Sequence, residues 1–122
     1  MIYTHTEELR NKVRSALRLL SDGQAFKVGD LTFAFTDTTH FLVSGWTNNN
    51  RLENVTRQSA LTELKEIKSL FLKMVDTSSE LSDFIKDREI EYCLIYDDYG
   101  KGGIGICREK FGQIIWETEL PE

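Results

Sequence analysis

The sequence predicts an α+β domain, a mainly antiparallel sheet of about six strands with helices packed on it, in the order α-βββ-αα-βββ. Apolar residues recur with helical spacing near the start and in the middle of the chain. Alternating or dense apolar runs, separated by turn residues, fill the other segments. The order shows no βαβ alternation, which favours a mainly antiparallel sheet. The 122 residues provide one core but not two, so 1–122 is interpreted as a single domain.

A first helix is predicted from one apolar stripe, formed by Leu9, Val13, Ala16, Leu17 and Leu20. Thr4 and Glu7 have capping-box spacing before it, and Gly23 follows it as a stop signal.

Three strands are then expected. Apolar residues alternate on both sides of Gly29-Asp30, a pair typical of a tight hairpin turn. A third strand covers residues 41–46, and residues 47–54, with three consecutive Asn residues, are interpreted as a loop.

The second half begins with a helix from about Thr56 to Val75, whose inner stripe is Ala60, Leu64, Ile67, Phe71 and Met74. Residues 77–79 break it and cap a short third helix. Three final strands are predicted over residues 92–96, 104–108 and 113–120. In the hairpin formed by the first two, we expect Tyr92, Leu94 and Tyr96 on one face, and Cys93, Ile95, Ile104 and Ile106 on the other.

The two cysteines are expected to be reduced, buried thiols. A symmetrical hairpin around residues 100–103 would place Tyr96 opposite Cys107, out of register for a Cys93–Cys107 disulfide. The sequence after Met1 does not read as a signal peptide, and no apolar run has the length of a membrane span. We therefore expect a cytoplasmic protein.

The negative charge is concentrated in one stretch. The net charge is −5, and residues 76–98 hold eight acidic residues against Lys86 and Arg88. Such a field repels nucleic acid and anionic membrane and attracts a basic partner. The alternative is an ordinary solvated helix face followed by a turn.

No motif indicates catalysis, a cofactor or a metal. Residues 100–105 match G-x-G-x-x-G by letter, but β-type sequence follows where a dinucleotide site needs a helix. Asp97 and Asp98 are adjacent, so on a strand they point to opposite faces. His5 and His40 lack ligand spacing, and burial of the cysteines disfavours a Cys-His nucleophile.

The interpretation that remains is a protein-binding surface. Acidic and aromatic side chains suit protein contacts, and the predicted contact residues are Asp37, Glu91, Tyr96, Asp97, Asp98, Tyr99 and Lys101. In size, acidity and α+β content, and in its acidic stretch and Tyr96-Asp97-Asp98-Tyr99-Gly100 turn, the chain resembles bacterial immunity proteins. The resemblance implies a non-enzymatic protein that blocks the active cleft of a toxin, here a basic nuclease domain, with acids in place of phosphates.

A second interpretation stays open. The α-βββ-α opening and low pI are similar to those of dimeric secretion chaperones, although the chain ends in a strand where those proteins have a helix. Monomer and homodimer are both compatible with the sequence. A small enzyme would need a polar pocket, which the sequence does not reveal.

Overall fold

The protein is described here from a computed structural model, which covers residues 7, 11, 14, 15, 17, 18, 25–28, 31–35, 39–97 and 102–122. Residues 7, 11, 14, 15, 17 and 18 are helical, and Leu17 packs against the core. These residues agree with the predicted first helix. The rest of its apolar stripe, Thr4 of the predicted capping box and Gly23 lie outside the described residues.

The described elements follow the predicted order. They are strands β1 Ala25–Val28, β2 Leu31–Phe35 and β3 His40–Trp46, helices α1 Arg57–Thr77 and α2 Ser79–Ile85, and strands β4 Glu89–Asp97, β5 Gly103–Lys110 and β6 Gln113–Trp116. A short 3₁₀ turn, Leu52–Asn54, precedes α1.

The six strands form one sheet in the order β1-β2-β3-β4-β5-β6. Four of the five strand pairs are antiparallel, which confirms the α+β prediction of a mainly antiparallel sheet. The fifth pair, β3 with β4, is parallel, a connection that the order of helices and strands in the sequence did not indicate. The reason is that α1 and α2 together return the chain to the starting end of β3, where the Glu89 N–H donates to the Thr39 carbonyl at 2.7 Å.

Helix α1 has the predicted inner stripe and a complete capping box. Thr56 accepts a hydrogen bond from the Ser59 N–H, and the Ser59 side chain accepts one from the Thr56 N–H. The helix lies very close to β3 at Gly45, where a Cβ atom would be 2.6 Å from Ile67 Cδ1. Only glycine leaves room for this approach.

The core lies between the helices and one face of the sheet. Phe71 of α1 packs between three strands, with ring centroids 5.7 Å from Phe33, 6.1 Å from Phe41 and 5.9 Å from Tyr92. All four side chains are buried. This aromatic cluster joins the helical layer to the centre of the sheet.

The β4–β5 hairpin differs from the symmetrical register that was expected. Leu94 pairs with Cys107 but Ile95 pairs with Gly105, which leaves Ile106 without an opposite residue. This β-bulge places Ile104, and not Cys107, opposite Tyr96. The assignment of Ile104 to the face of Cys93 was therefore wrong. The absence of a disulfide is confirmed, since both cysteines are free and buried.

Candidate functional site

One face of the sheet is free of packed helices among the described residues. Gly45 faces α1, so its neighbours Ser44 and Trp46 point to the opposite side. Strand register then assigns the facing residues of β4 and β5 to that side. We call this surface the open face and define it by Leu42, Ser44, Trp46, Glu89, Glu91, Cys93, Ile95, Asp97 and Arg108, together with Glu117, which folds over Gly105.

A charged cluster spans the middle of the open face. Arg108 Nη1 lies 3.4 Å from Glu91 Oε1, and Arg108 Nε lies 4.0 Å from Glu117 Oε1. Glu117 reaches this position because residue 105 is a glycine, at which a Cβ atom would be 2.8 Å from the Glu117 carboxylate. The buried Arg108 Nε has no hydrogen-bond acceptor within 25–28, 31–35, 39–97 and 102–122. One cation thus lies between a carboxylate of β4 and one that directly follows β6.

Cys93 lies beneath this cluster, and its thiol is a poor nucleophile. Burial, and then the nearby Glu91 and Glu117 carboxylates, raise the pKa of its thiol to about 12. On the helix side of the sheet, burial followed by Glu117 and Glu63 raises the pKa of Cys107 to about 11. Both thiols are protonated at neutral pH, and a protonated thiol is a poor nucleophile.

An apolar region lies beside the charged cluster. Trp46 and Ile95 are paired across β3 and β4, and both are partly buried. A Cβ atom at Gly103 would be 2.6 Å from Ile95 Cγ2 and 3.5 Å from Trp46 Cζ3, so Gly103 keeps this part of the surface accessible from β5. Exposed Asp97 ends β4 next to it. An aromatic ring, an aliphatic side chain and a carboxylate therefore share one end of the open face.

The structure separates the predicted contact residues. Glu91 and Asp97 lie on the open face. Tyr96 points to the helix side, where it is buried and its hydroxyl donates to the Asn50 carbonyl at 3.2 Å. Tyr96 therefore holds the 47–54 loop and is not part of the open face. The remaining predicted residues, Asp37, Asp98, Tyr99 and Lys101, lie outside the described residues.

The acidic stretch 76–98 is not a single patch. Exposed Asp76, Asp83 and Asp87 lie on or beside the helices. Glu80, on α2, forms an ion pair with Arg14 at 2.7 Å. Glu89, Glu91 and Asp97 lie on β4 instead. The acids of this stretch are thus divided between the helical layer and the open face.

Sequence reasoning did not single out Trp46, Arg108 and Glu117 as surface residues. Alternation away from Gly45 could have indicated the position of Trp46. The expected hairpin register placed Arg108 opposite Ile95, on the same face on which the structure pairs it with Cys93. For Glu117 the sequence carries no such signal, because its position depends on the space above Gly105.

A second arrangement lies where the two central strands, β3 and β4, begin. Thr39 Oγ1 is 3.0 Å from His40 Nδ1, and His40 Nε2 is 3.0 Å from Glu89 Oε2. His40 and Glu89 line a cleft of about 300 Å³, in which Lys68 forms an ion pair with Glu109 at 3.2 Å. A hydroxyl, an imidazole and a carboxylate in sequence can transfer protons. Here the hydroxyl is exposed and the Lys68 ammonium is already paired with a carboxylate.

Comparisons with known proteins do not extend this description: no family model, no curated protein and no solved structure matches the chain. Within the described residues, no helix is both long enough and apolar enough to cross a bilayer. The same residues contain no group of three or more His, Cys, Asp or Glu side chains that could hold a metal ion.

Proposed function

We propose that this chain is an immunity-type binding protein, which neutralises a cognate bacterial toxin by covering the toxin's basic active cleft. The observation that supports the proposal is the open face itself, which combines four carboxylates with a partly buried tryptophan, Trp46. Among the described residues the helices occupy the other side of the sheet, and Glu89 and Asp97 are exposed on this one.

The charge of the open face favours a basic partner. Its carboxylates are those of Glu89, Glu91, Asp97 and Glu117, and its one arginine, Arg108, is already shared between Glu91 and Glu117. Exposed Asp97 and Glu89 contribute most to the field outside the surface. An acidic surface steers a basic domain during encounter and accelerates association. In a nuclease cleft, such carboxylates pair with the lysines and arginines that otherwise bind phosphate.

The apolar part supplies affinity. Trp and large aliphatic side chains contribute disproportionately to binding energy when a partner removes them from water. Trp46 and Ile95 lie side by side next to Asp97, so one partner loop could contact all three. The proposed centre of contact is therefore the end of the open face formed by Trp46, Ile95 and Asp97, with the Glu91–Arg108–Glu117 cluster beside it.

Capture of the partner is the first test. The tagged protein is recovered from its own organism, and the bound proteins are identified by mass spectrometry. We expect one basic toxin domain in equal amount. Recovery of only this chain, or of a mixture of loosely held chains, would contradict the proposal.

The contact surface is then tested with the captured domain. Asp97→Lys is expected to slow association by at least about tenfold, since it reverses a charge at the proposed centre. Asp83→Lys is the matched control, because Asp83 is an exposed acid on α2, away from the open face. Association rates are measured by surface plasmon resonance at low and high salt. Equal effects of the two substitutions would show that the net charge, and not the open face, controls binding.

A further inference from the structure

The outer edge of β6 is an uncharged, apolar strand edge. β6 is the last strand of the sheet and pairs only with β5 among the described elements. Ile114 is 36% exposed and Ile115 is 37% exposed. Phe111, 67% exposed, lies in the turn just before the strand. Native proteins usually protect such edges with charged residues or proline, because an open edge can pair with another chain.

Within the part of the chain that the structure describes, the outward backbone groups of β6 have no strand partner. Phe111 and Gly112 form a two-residue turn, so Lys110 and Gln113 are the hydrogen-bonded pair that flanks it. Bonding alternates along an antiparallel strand, so Ile115 also faces β5, whereas Ile114 and Trp116 direct their N–H and C=O groups outward. Glu117 continues this alternation, because its N–H points toward β5 and donates to the Ile106 carbonyl at 3.0 Å.

The charges at the two ends of the edge are opposite. Lys110 precedes the turn at one end, and exposed Glu119 follows the strand at the other, whereas Glu117 is directed toward Arg108. A second copy that runs antiparallel would bring each basic end toward an acidic end. A parallel arrangement would bring like charges together. The edge is therefore complementary to itself in the antiparallel direction only.

We propose that two copies of this chain pair antiparallel along β6, with Ile115 opposite Ile115 of the second copy. In this register the outward N–H and C=O groups of Ile114 form hydrogen bonds with those of Trp116 of the second copy. The side chain of Ile114 then lies beside that of Trp116, and the two Ile115 side chains lie beside each other. The two-fold axis is perpendicular to the sheet, so both helical layers lie on one side and one sheet runs through the dimer. The contact uses the strand edge, so it goes beyond the proposed toxin binding and does not depend on it.

The oligomeric state of the full chain tests this proposal. Analytical ultracentrifugation over a wide range of protein concentration is expected to show a monomer–dimer equilibrium. Ile114→Pro removes an outward N–H without removing a bond to β5, so it should give a folded monomer with an unchanged circular dichroism spectrum. Leu72→Lys is the control: it alters an exposed apolar residue on α1 and should leave the dimer intact. A wild-type chain that stays monomeric at every concentration, or a folded Ile114→Pro dimer, would overturn the proposal.

Cysteine cross-linking tests the register separately. Ile115→Cys places two thiols directly opposite each other in a non-hydrogen-bonded pair, and mild oxidation should give a covalent dimer. Cys93 and Cys107 are buried and should not react under these conditions. Ile114→Cys is the matched control, because residue 114 faces Trp116 of the second copy and should cross-link far less. Preferential cross-linking at 114, or none at 115, would contradict the stated register.

Discussion

At the scale of single residues, burial controls the chemistry of the two thiols. The pKa values of Cys93 and Cys107, about 12 and about 11, lie above the ordinary thiol value of about 8.5, with burial as the main cause. In the folded protein both thiols therefore keep their protons at pH values where the unfolded chain releases them. The stabilisation is complete below about pH 8.5 and is lost as the pH rises toward the folded-state values.

This difference predicts a pH-dependent stability. Between about pH 9 and pH 11, the free energy of unfolding should fall by up to about 1.4 kcal/mol per pH unit for each thiol. Cys93→Ala should have a shallower slope than wild type, and the comparison removes the contribution of other groups that titrate in this range. Urea denaturation at a series of pH values measures both slopes. Equal slopes would mean that the Cys93 thiol has the same pKa in the folded and unfolded states.

At the scale of elements, the β5–β6 turn contains a residue that is unfavourable for its conformation. Phe111 has a φ of 54° and Gly112 a φ of 76°, which is typical of a two-residue hairpin turn that prefers Asn-Gly. A left-handed conformation costs most residues about 1–2 kcal/mol. Phe111 is also largely exposed, so the fold recovers little of this cost through burial.

Replacement of this residue should stabilise the hairpin. Phe111→Asn is expected to raise the free energy of unfolding by about 1 kcal/mol, because Asn tolerates positive φ. Phe111→Val, which keeps the strain, should give no gain. Both are measured by urea denaturation at a concentration where the wild type is monomeric. A loss of stability in Phe111→Asn would indicate that the aromatic side chain makes a stabilising contact.

At the scale of the whole molecule, stability depends on the contact between the helical layer and the sheet. Phe71 reaches three strands from α1, whereas Leu72, the next residue, is 46% exposed. Phe71→Ala should cost about 3–5 kcal/mol, through lost burial and the cavity that remains. Leu72→Ala should change stability by no more than about 0.5 kcal/mol, as is usual for surface sites. Thermal and urea denaturation of the two variants test this contrast, and similar losses would contradict the two-layer packing.

Local features of the sequence predicted much of the fold. The inner stripe of α1, the break at residues 77–79, the order of the six strands and the unpaired cysteines agree with the structure, although the last strand, predicted over 113–120, ends at Trp116. These features depend on helical or strand periodicity and on turn chemistry, which act over a few residues. The presence of acidic residues on β4 could likewise be read from the chain, and Glu91 and Asp97 do lie on the open face.

Other features were decided by tertiary structure. The parallel pairing of β3 with β4 depends on where two successive helices return the chain, and the bulge at Ile106 moves Ile104 to the face opposite to the one expected. The helices cover the face of β4 that holds Tyr96, which is therefore in the core, while Trp46, Arg108 and Glu117 lie on the other face. Periodicity groups residues on a common face of one element. Which face is covered, and by what, depends on contacts between segments distant in sequence, and those exist only in the folded chain.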